Sequence, residues 1–243
     1  RKSEDCYVDD LLDGVSGFGA PLLAARFPRA YLDVNREPYE LDPALFHDHL
    51  PDFANTQSVR VVGGLGTIAR IVAESEEIYR DRLSVAEGMA RIERLYKPFH
   101  AQLATLIEAT RRQFGYCVLF DCHSMPSTGA FGSVSPRPDI VLGDRFGSSC
   151  DAALTRIVRE AFGRLGLQVA LNRPYAGGFI TEHYGRPASG AQALQIEINR
   201  ALYMNEETLE KRSDFDQFKG ALQRALVEVF AALPVSEARY AAE

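Results

Sequence analysis

Residues 117–124 read Cys-Val-Leu-Phe-Asp-Cys-His-Ser, and this stretch carries most of the information about the fold class. Its first four residues form a short apolar run bounded by polar residues, which is typical of a strand buried on both faces of a sheet. The polar residues 121–124 would then follow at the carboxyl end of that strand. Ligands bind at this edge of open α/β sheets. The stretch therefore predicts a buried strand that leads into a candidate site.

Helix and strand patterns alternate along the rest of the chain. Amphipathic helix patterns cover residues 6–12, 85–114, 151–165 and 215–233. Strand patterns cover residues 20–25, 30–34, 59–62, 139–143, 168–171 and 194–198. Pro98 should kink or split the second helix, since proline cannot donate the backbone hydrogen bond there. This alternation predicts an α/β fold with a largely parallel or mixed sheet flanked by helices.

The composition is that of an ordinary globular protein. The 243 residues are 46% hydrophobic and 25% charged, and without a repeat or an obvious linker they are expected to form one domain over 1–243. A net charge of -6 argues against sequence-independent nucleic-acid binding, but not against a small anionic substrate held by local arginines. No apolar run approaches the ~20 residues needed to span a membrane. The four cysteines lack paired metal-site spacings, so we expect reduced thiols and a cytoplasmic location.

Two positions could carry chemistry. At the end of a strand, His123 could present a neutral ring nitrogen to a metal ion, oriented by a nearby carboxylate. The alternative, a partly buried histidine bonded to backbone, is about equally well supported by the residues alone. Glu197 alternates with apolar residues in 194–198, and a carboxylate in a dry pocket can act as a general base. A solvated edge strand explains that pattern at least as well.

Other polar clusters follow strand patterns. Asn35 and Arg36 follow the 30–34 pattern, and the planar fork of an arginine suits a substrate carboxylate. A surface turn is the simpler interpretation. In the loop at 172–179 the paired glycines Gly177 and Gly178 permit close backbone approach to a ligand, and His183 follows shortly after. A surface loop without a ligand is the alternative there.

Five segments together resemble the N-formylglutamate amidohydrolase family, in the order in which the family has them. They are residues 31–36 (YLDVNR), 121–126 (DCHSMP), 138–144 (PDIVLGD), 172–179 (NRPYAGGF) and 195–200 (QIEINR). The resemblance implies a fold like that of zinc carboxypeptidases and aspartoacylases. It also implies hydrolysis of N-formyl-L-glutamate to formate and L-glutamate, the last step of one histidine degradation route.

The resemblance implies a zinc ion, or another divalent metal, with His123 as one ligand. Asp5 or Asp9 would supply an acidic ligand, and the family pattern favours Asp5. The family also has a Ser-Pro-His-Ser-Gly-like motif near its start, which this chain lacks. We therefore expect an N-terminal segment to be missing and the metal site of this chain to be incomplete.

The resemblance also implies roles in catalysis and substrate binding. Glu197 would be the general base, and Asn35 with Arg36 would grip a carboxylate of the small anionic N-acyl amino acid. Arg200 and Arg173 are the further candidates for that grip. Two other functions stay open: hydrolysis of another N-acyl amino acid or peptide, and binding without catalysis by a protein that has lost the metal.

Overall fold

The computed structural model describes residues 3–72, 76–128 and 137–233. The chain divides into two compact units. The first unit is Ala24–Thr105 together with Arg1–Glu4, and the second is Asp5–Leu23 together with Leu106–Glu243. Whether the two act as the single domain expected from the sequence stays a prediction.

The described residues contain helices and strands in alternation. The helices are α1 (Val8–Leu12), α2 (Val59–Val62), α3 (Val85–Arg91), α4 (Lys97–Phe114), α5 (Ala152–Arg164), α6 (Phe179–Tyr184) and α7 (Phe215–Ala232). The strands are β1 (Ile71–Val72), β2 (Glu76–Glu77), β3 (Cys117–Met125), β4 (Ile140–Gly143), β5 (Val169–Leu171) and β6 (Ala191–Asn199). Short 3₁₀ turns lie at Asp13–Phe18, Pro43–Leu45, Pro187–Ser189 and Arg200–Leu202.

A four-stranded mixed sheet organises the second unit, in the order β3-β6-β4-β5. Strand β6 pairs parallel with β3 along all nine residues and antiparallel with β4. Strand β5 pairs parallel with β4. The α/β class and the mixed sheet expected from the sequence are therefore confirmed.

The two faces of this sheet differ in chemistry, because successive side chains of a strand point to opposite faces. One face is apolar: Leu142, Ile196 and Ile198 join a buried cluster that includes residues of α1, α5 and α7. Partner residues on paired strands share a face. The other face consequently carries the register partners His123 and Glu197, and its polar character positions the candidate site.

Among the described residues, the first unit buries several apolar side chains and contains two short strands. Its buried side chains include Leu41, Phe46, Ile68 and Ile92, and β1 and β2 form a two-stranded antiparallel ladder. Between α3 and α4 the chain forms a π-helical turn at Ile92–Tyr96. This wider turn ends just before Pro98, which lacks a backbone donor, while α4 continues through Pro98. Whether Pro98 kinks the helix stays a prediction.

Several local predictions were wrong. Residues 59–62 form α2 rather than a strand, because the Ser58 side chain accepts a hydrogen bond from Val61 N at 3.1 Å and caps a helical turn. The exposed fractions of Val59 and Val62 are 90% and 77%, and none of the described strands pairs with this segment to favour its β-branched side chains in a strand. Residues 20–25 and 30–34 are irregular, and the prolines Pro21 and Pro28 in or beside them cannot donate to a ladder.

The strand predicted at 117–120 is longer and less buried than expected. It continues through His123 to Met125, because β6 offers it nine consecutive partners. It lies at one end of the strand order, and several of its side chains are only partly buried. The histidine thus lies inside a strand rather than after it. The strand and helix patterns from residue 139 onward match β4, α5, β5, β6 and α7 closely.

The four cysteines, all within the described residues, are free thiols, as expected. None of the helices in the described ranges combines the length and apolar character that a membrane crossing requires. The cytoplasmic location stays a prediction.

The buried face of β6 should dominate the stability of the second unit. Ile196 is 1% exposed, so Ile196→Ala should lower the free energy of unfolding by about 2–5 kcal/mol through lost burial and a cavity. Leu171→Ala, at a position 37% exposed in the same sheet, should cost less. Urea denaturation of both variants checks this, and equal losses would contradict the assignment of the core face.

Candidate active site

Two carboxylates hold the ring of His123. Its Nδ1 lies 2.9 Å from Oδ2 of Asp5, and its Nε2 lies 2.8 Å from Oδ1 of Asp121. Asp121 lies two residues earlier on β3, on the same sheet face, whereas Asp5 precedes α1 at the far end of the sequence. Since an ionised carboxylate only accepts hydrogen bonds, both ring nitrogens carry protons in this arrangement.

The two carboxylates decide the charge of the ring. Burial opposes the charged imidazolium, but the negative charges and hydrogen bonds of Asp121 and Asp5 outweigh it, so the pKa of His123 lies well above its ordinary value. In contrast, burial beside Asp121 and Glu197 raises the pKa of the Cys122 thiol. His123 is therefore cationic in this arrangement, and Cys122 is a neutral thiol.

The Asp5 carboxylate is fixed from its other side by Ser124. Oδ1 of Asp5 accepts hydrogen bonds from the backbone N–H of Ser124 at 2.7 Å and from its hydroxyl at 3.2 Å. The same hydroxyl oxygen accepts a hydrogen bond from Nε of Arg200 at 3.0 Å. Asp5 is therefore the acidic residue that contacts His123, whereas Asp9 is exposed on α1.

Glu197 lies next to His123 on the polar face. It is the register partner of His123 and is only 7% exposed, on a strand paired on both sides. The interpretation of 194–198 as a solvated edge strand was wrong. The Gln195 side-chain amide donates a hydrogen bond to Oε1 of Glu197 at 2.8 Å, and its carbonyl oxygen accepts one from Gly178 N at 2.7 Å.

The glycine loop approaches the same face closely. A side chain at Gly143, the register partner of Gln195, would meet the backbone of Ala176 and Gly177 at 2.7 Å. Gly177 has a φ of 123°, which favours glycine. The loop therefore lies against β4 and β6, and Gly177 is needed for its backbone geometry.

Two other candidates of the second unit lie at the surface. Arg173 is exposed, and so is His183, which stacks on Phe179 with 5.0 Å between ring centroids. Partial desolvation of the ring by its neighbours and the positive charge of Arg186 lower the pKa of His183, although the side chain as a whole is exposed. Roles in substrate binding for these residues, and for Gly177, Gly178 and Arg200, stay predictions.

Asn35 and Arg36 belong to the first unit, where Asp33 organises them. Asp33 accepts hydrogen bonds from Asn35 N at 2.9 Å and from Nε of Arg29 at 3.0 Å, and it pairs with Nη2 of Arg36 at 3.4 Å. Arg36 also donates to the carbonyl oxygens of Leu65 and Asn35. Their roles toward substrate carboxylates stay predictions.

Neither Asp121 nor Gln195 was predicted from the sequence as a site residue. The signal for both was the two-residue period of a strand. Each lies two positions before a candidate residue, His123 or Glu197, and therefore on the same face. The pairing of Asp121 with Gln195 across β3 and β6 then brings them side by side.

The donor chemistry of Asp5 and His123 suits a divalent cation, because imidazole nitrogen and carboxylate oxygen are both zinc ligands. Asp121 provides the second-sphere carboxylate that usually orients such a histidine. Within residues 3–72, 76–128 and 137–233, however, no group of three or more His, Cys, Asp or Glu side chains is arranged to hold a metal ion. The described residues therefore offer two suitable ligands and not a complete set.

Comparison with known proteins gives consistent results. The family model for N-formylglutamate amidohydrolase matches residues 1–204. N-formylglutamate deformylase of Pseudomonas putida is 29% identical over 232 residues, which are 94% of this chain and 81% of that protein. The enzyme of the same name from Pseudomonas aeruginosa is 29% identical over 228 residues, 92% and 80% of the two chains. The crystal structure of N-formylglutamate amidohydrolase from Ralstonia eutropha JMP134 superposes with a TM-score of 0.87 and 38% identity, covering 96% of this chain and 83% of that one.

The Asp33 cluster should make the first unit sensitive to acid. Burial opposes ionisation of Asp33, but Arg29 and Arg36 outweigh it, so its pKa in the folded protein lies below the ordinary value of 3.8. Its stabilising effect is present above that ordinary value and is lost as the pH falls through the folded pKa. The stability difference between wild type and Asp33→Asn should therefore be large near neutral pH and shrink below about pH 4.

Urea denaturation over a pH series measures that difference. Asp52→Asn, a change of an exposed aspartate in the same unit, is the matched control and should show little difference at any pH. A gap between wild type and Asp33→Asn that stays constant down to strong acid would show that Asp33 is not ionised in the folded protein.

Proposed function

This chain belongs to the N-formylglutamate amidohydrolase family, whose members hydrolyse an amide bond, and we propose that it converts N-formyl-L-glutamate to formate and L-glutamate. One structural observation carries the proposal. Asp5 and His123, from opposite parts of the sequence, meet at 2.9 Å beside the buried Glu197 on the polar sheet face. Candidate cation ligands and a candidate general base are thereby adjacent, as metal-assisted amide hydrolysis requires.

A divalent cation, best matched by zinc, is proposed to bind between Asp5 and His123. Binding would replace the proton on Nδ1 of His123, while Nε2 keeps its hydrogen bond to Asp121. Ser124 would hold the Asp5 carboxylate in place through Oδ1. Further ligands, from protein or water, would complete the coordination. The chemistry that such a cation supplies is polarisation of the formyl carbonyl and activation of water.

Glu197 is proposed as the general base. Its carboxylate would accept a proton from the attacking water and pass it to the amine nitrogen of the departing glutamate. Burial supports this role, because a carboxylate shielded from solvent exchanges protons with a bound reactant rather than with bulk water. His123, once it binds a cation through Nδ1, would have no proton to give from that atom, so Glu197 is the proton carrier.

The finer assignments rest on family membership. Binding of the substrate carboxylates by Arg36, with Arg200 or Arg173, is part of the proposal, as is a place in histidine degradation. The likeness to zinc carboxypeptidases and aspartoacylases is proposed too, supported by a mixed sheet with one polar and one apolar face. Turnover of N-formyl-L-glutamate compared with N-acetyl-L-glutamate would separate the proposed substrate from other N-acyl amino acids.

His123 should be essential for cation binding. His123→Ala removes a ligand, and even loss of a second-sphere partner typically costs 10–100-fold in metal affinity. Zinc affinity measured by calorimetry should therefore fall more than about tenfold, and hydrolysis with zinc present should be lost. His47→Ala, which changes an exposed histidine, should alter neither. Unchanged zinc affinity in His123→Ala would exclude this residue as a ligand.

Glu197→Gln should separate catalysis from binding. The amide keeps the size of the side chain but cannot take the proton from water, so kcat should fall by roughly 10²-fold or more while KM changes little. Steady-state kinetics with N-formyl-L-glutamate measures both constants, and Glu160→Gln on the exposed face of α5 is the control. Near-normal kcat in Glu197→Gln would rule out the general-base role.

A further inference from the structure

The side-chain amide of Gln195 forms hydrogen bonds at both of its ends, and the proposed reaction assigns it no role. Its Oε1 accepts a hydrogen bond from Gly178 N at 2.7 Å, and its Nε2 donates to Oε1 of Glu197 at 2.8 Å. Both side chains are buried, Gln195 at 5% exposure and Glu197 at 7%. The backbone donor at Gly178 therefore determines which end of the amide faces Glu197, since only the nitrogen end remains to point at the carboxylate.

The charges nearby explain why this position suits an amide. Gln195 is the register partner of Asp121 and lies two residues from Glu197 on the same face. A carboxylate at position 195 would add a further negative charge to a face that already carries Asp121 and Glu197. Glutamine instead supplies a neutral donor, and a hydrogen bond to a charged acceptor is stronger than one between neutral groups.

The loop that anchors Gln195 is itself held against the sheet. Gly143 leaves room for the backbone of Ala176 and Gly177, and Arg145 N donates to Ala176 O at 2.8 Å. Thr181 Oγ1 donates to Gly178 O at 2.8 Å from α6. The Gly178 N–H is therefore held in place by contacts on both sides, and a donor supported in this way can fix the amide that it contacts.

We propose that Gln195 is a positioning residue, which orients the Glu197 carboxylate for proton transfer while Gly178 N–H fixes the amide. This rests on the proposed role of Glu197 as general base. Gln195 touches neither the water nor the amide in this proposal. Gln195 influences kcat by orienting Glu197. Substitution of Gln195 should therefore not affect kcat once Glu197 can no longer act as a base.

Two substitutions separate orientation from loop anchoring. Gln195→Met keeps the length of the side chain and removes both hydrogen bonds. Gln195→Glu keeps an acceptor for Gly178 N but replaces the donor to Glu197 with a carboxylate. Both should lower kcat for N-formyl-L-glutamate by about tenfold or more, with KM within about threefold, a scale within the 10²–10⁴-fold contribution of general-base catalysis.

The matched control is Gln192→Met. Gln192 lies on the same strand and is also bonded at both ends, to Asp151 N at 2.9 Å and to the Asp151 carboxylate at 3.0 Å, but its side chain points to the other face. It should keep normal kcat and KM. Thermal melting of each variant establishes that it is folded. If Gln195→Met does not fold, the test of the positioning role rests on Gln195→Glu.

The decisive measurement repeats the Gln195 substitutions in Glu197→Gln protein. If Gln195 acts through Glu197, they should change the residual kcat by no more than about twofold, because residues that act as a unit are non-additive. The same fold loss in both backgrounds would overturn the positioning role, and so would near-normal kcat in Gln195→Glu. Wild-type protein without hydrolytic activity would overturn the proposed function and this role with it, whereas active wild type with additive losses would overturn this role alone.

Discussion

The parallel pairing of β3 with β6 is the constraint on which the candidate site depends. It sets His123 beside Glu197 and Asp121 beside Gln195, on one face, across strands about 4.8 Å apart. A slip of one residue would turn one member of each pair to the opposite face and expose the apolar partners that now form the core. The burial of Ile196 and Ile198 on that opposite face therefore holds the register that assembles the polar residues.

Charge balance is the second constraint. Asp5, Asp121 and Glu197 lie around His123, and Arg200 adds a positive charge through Ser124. Buried charges are costly unless they are paired and hydrogen-bonded. The nearby carboxylates Asp121 and Asp5 raise the pKa of His123, and the charged imidazolium partly balances their negative charge. A cation bound there, as proposed, would supply positive charge in place of the proton.

Local sequence reasoning was weakest where the structure lacks long-range partners or has unexpected ones. The β-branched pattern at 59–62 predicted a strand, but none of the strands in the described ranges pairs with it, and the Ser58 cap makes a helical turn the better local solution. For β3, in contrast, the predicted strand was too short. Polar residues suggested that the strand ends at residue 120, yet pairing with β6 carries the extended backbone through Asp121 and His123 to Met125.

The sequence by itself determined the α/β class, the helices and strands from residue 139 onward except α6, the family, and His123 and Glu197 as the residues to test. Apolar periodicity and ordered motifs are local properties of the chain, so they can be recognised in the sequence alone. Only the tertiary structure decided that Asp5 rather than Asp9 meets His123, that Asp121 holds the other ring nitrogen, and that Gln195 joins Glu197 to Gly178. These contacts depend on strand register and on which face each side chain occupies, and both follow from pairing between residues distant in the chain.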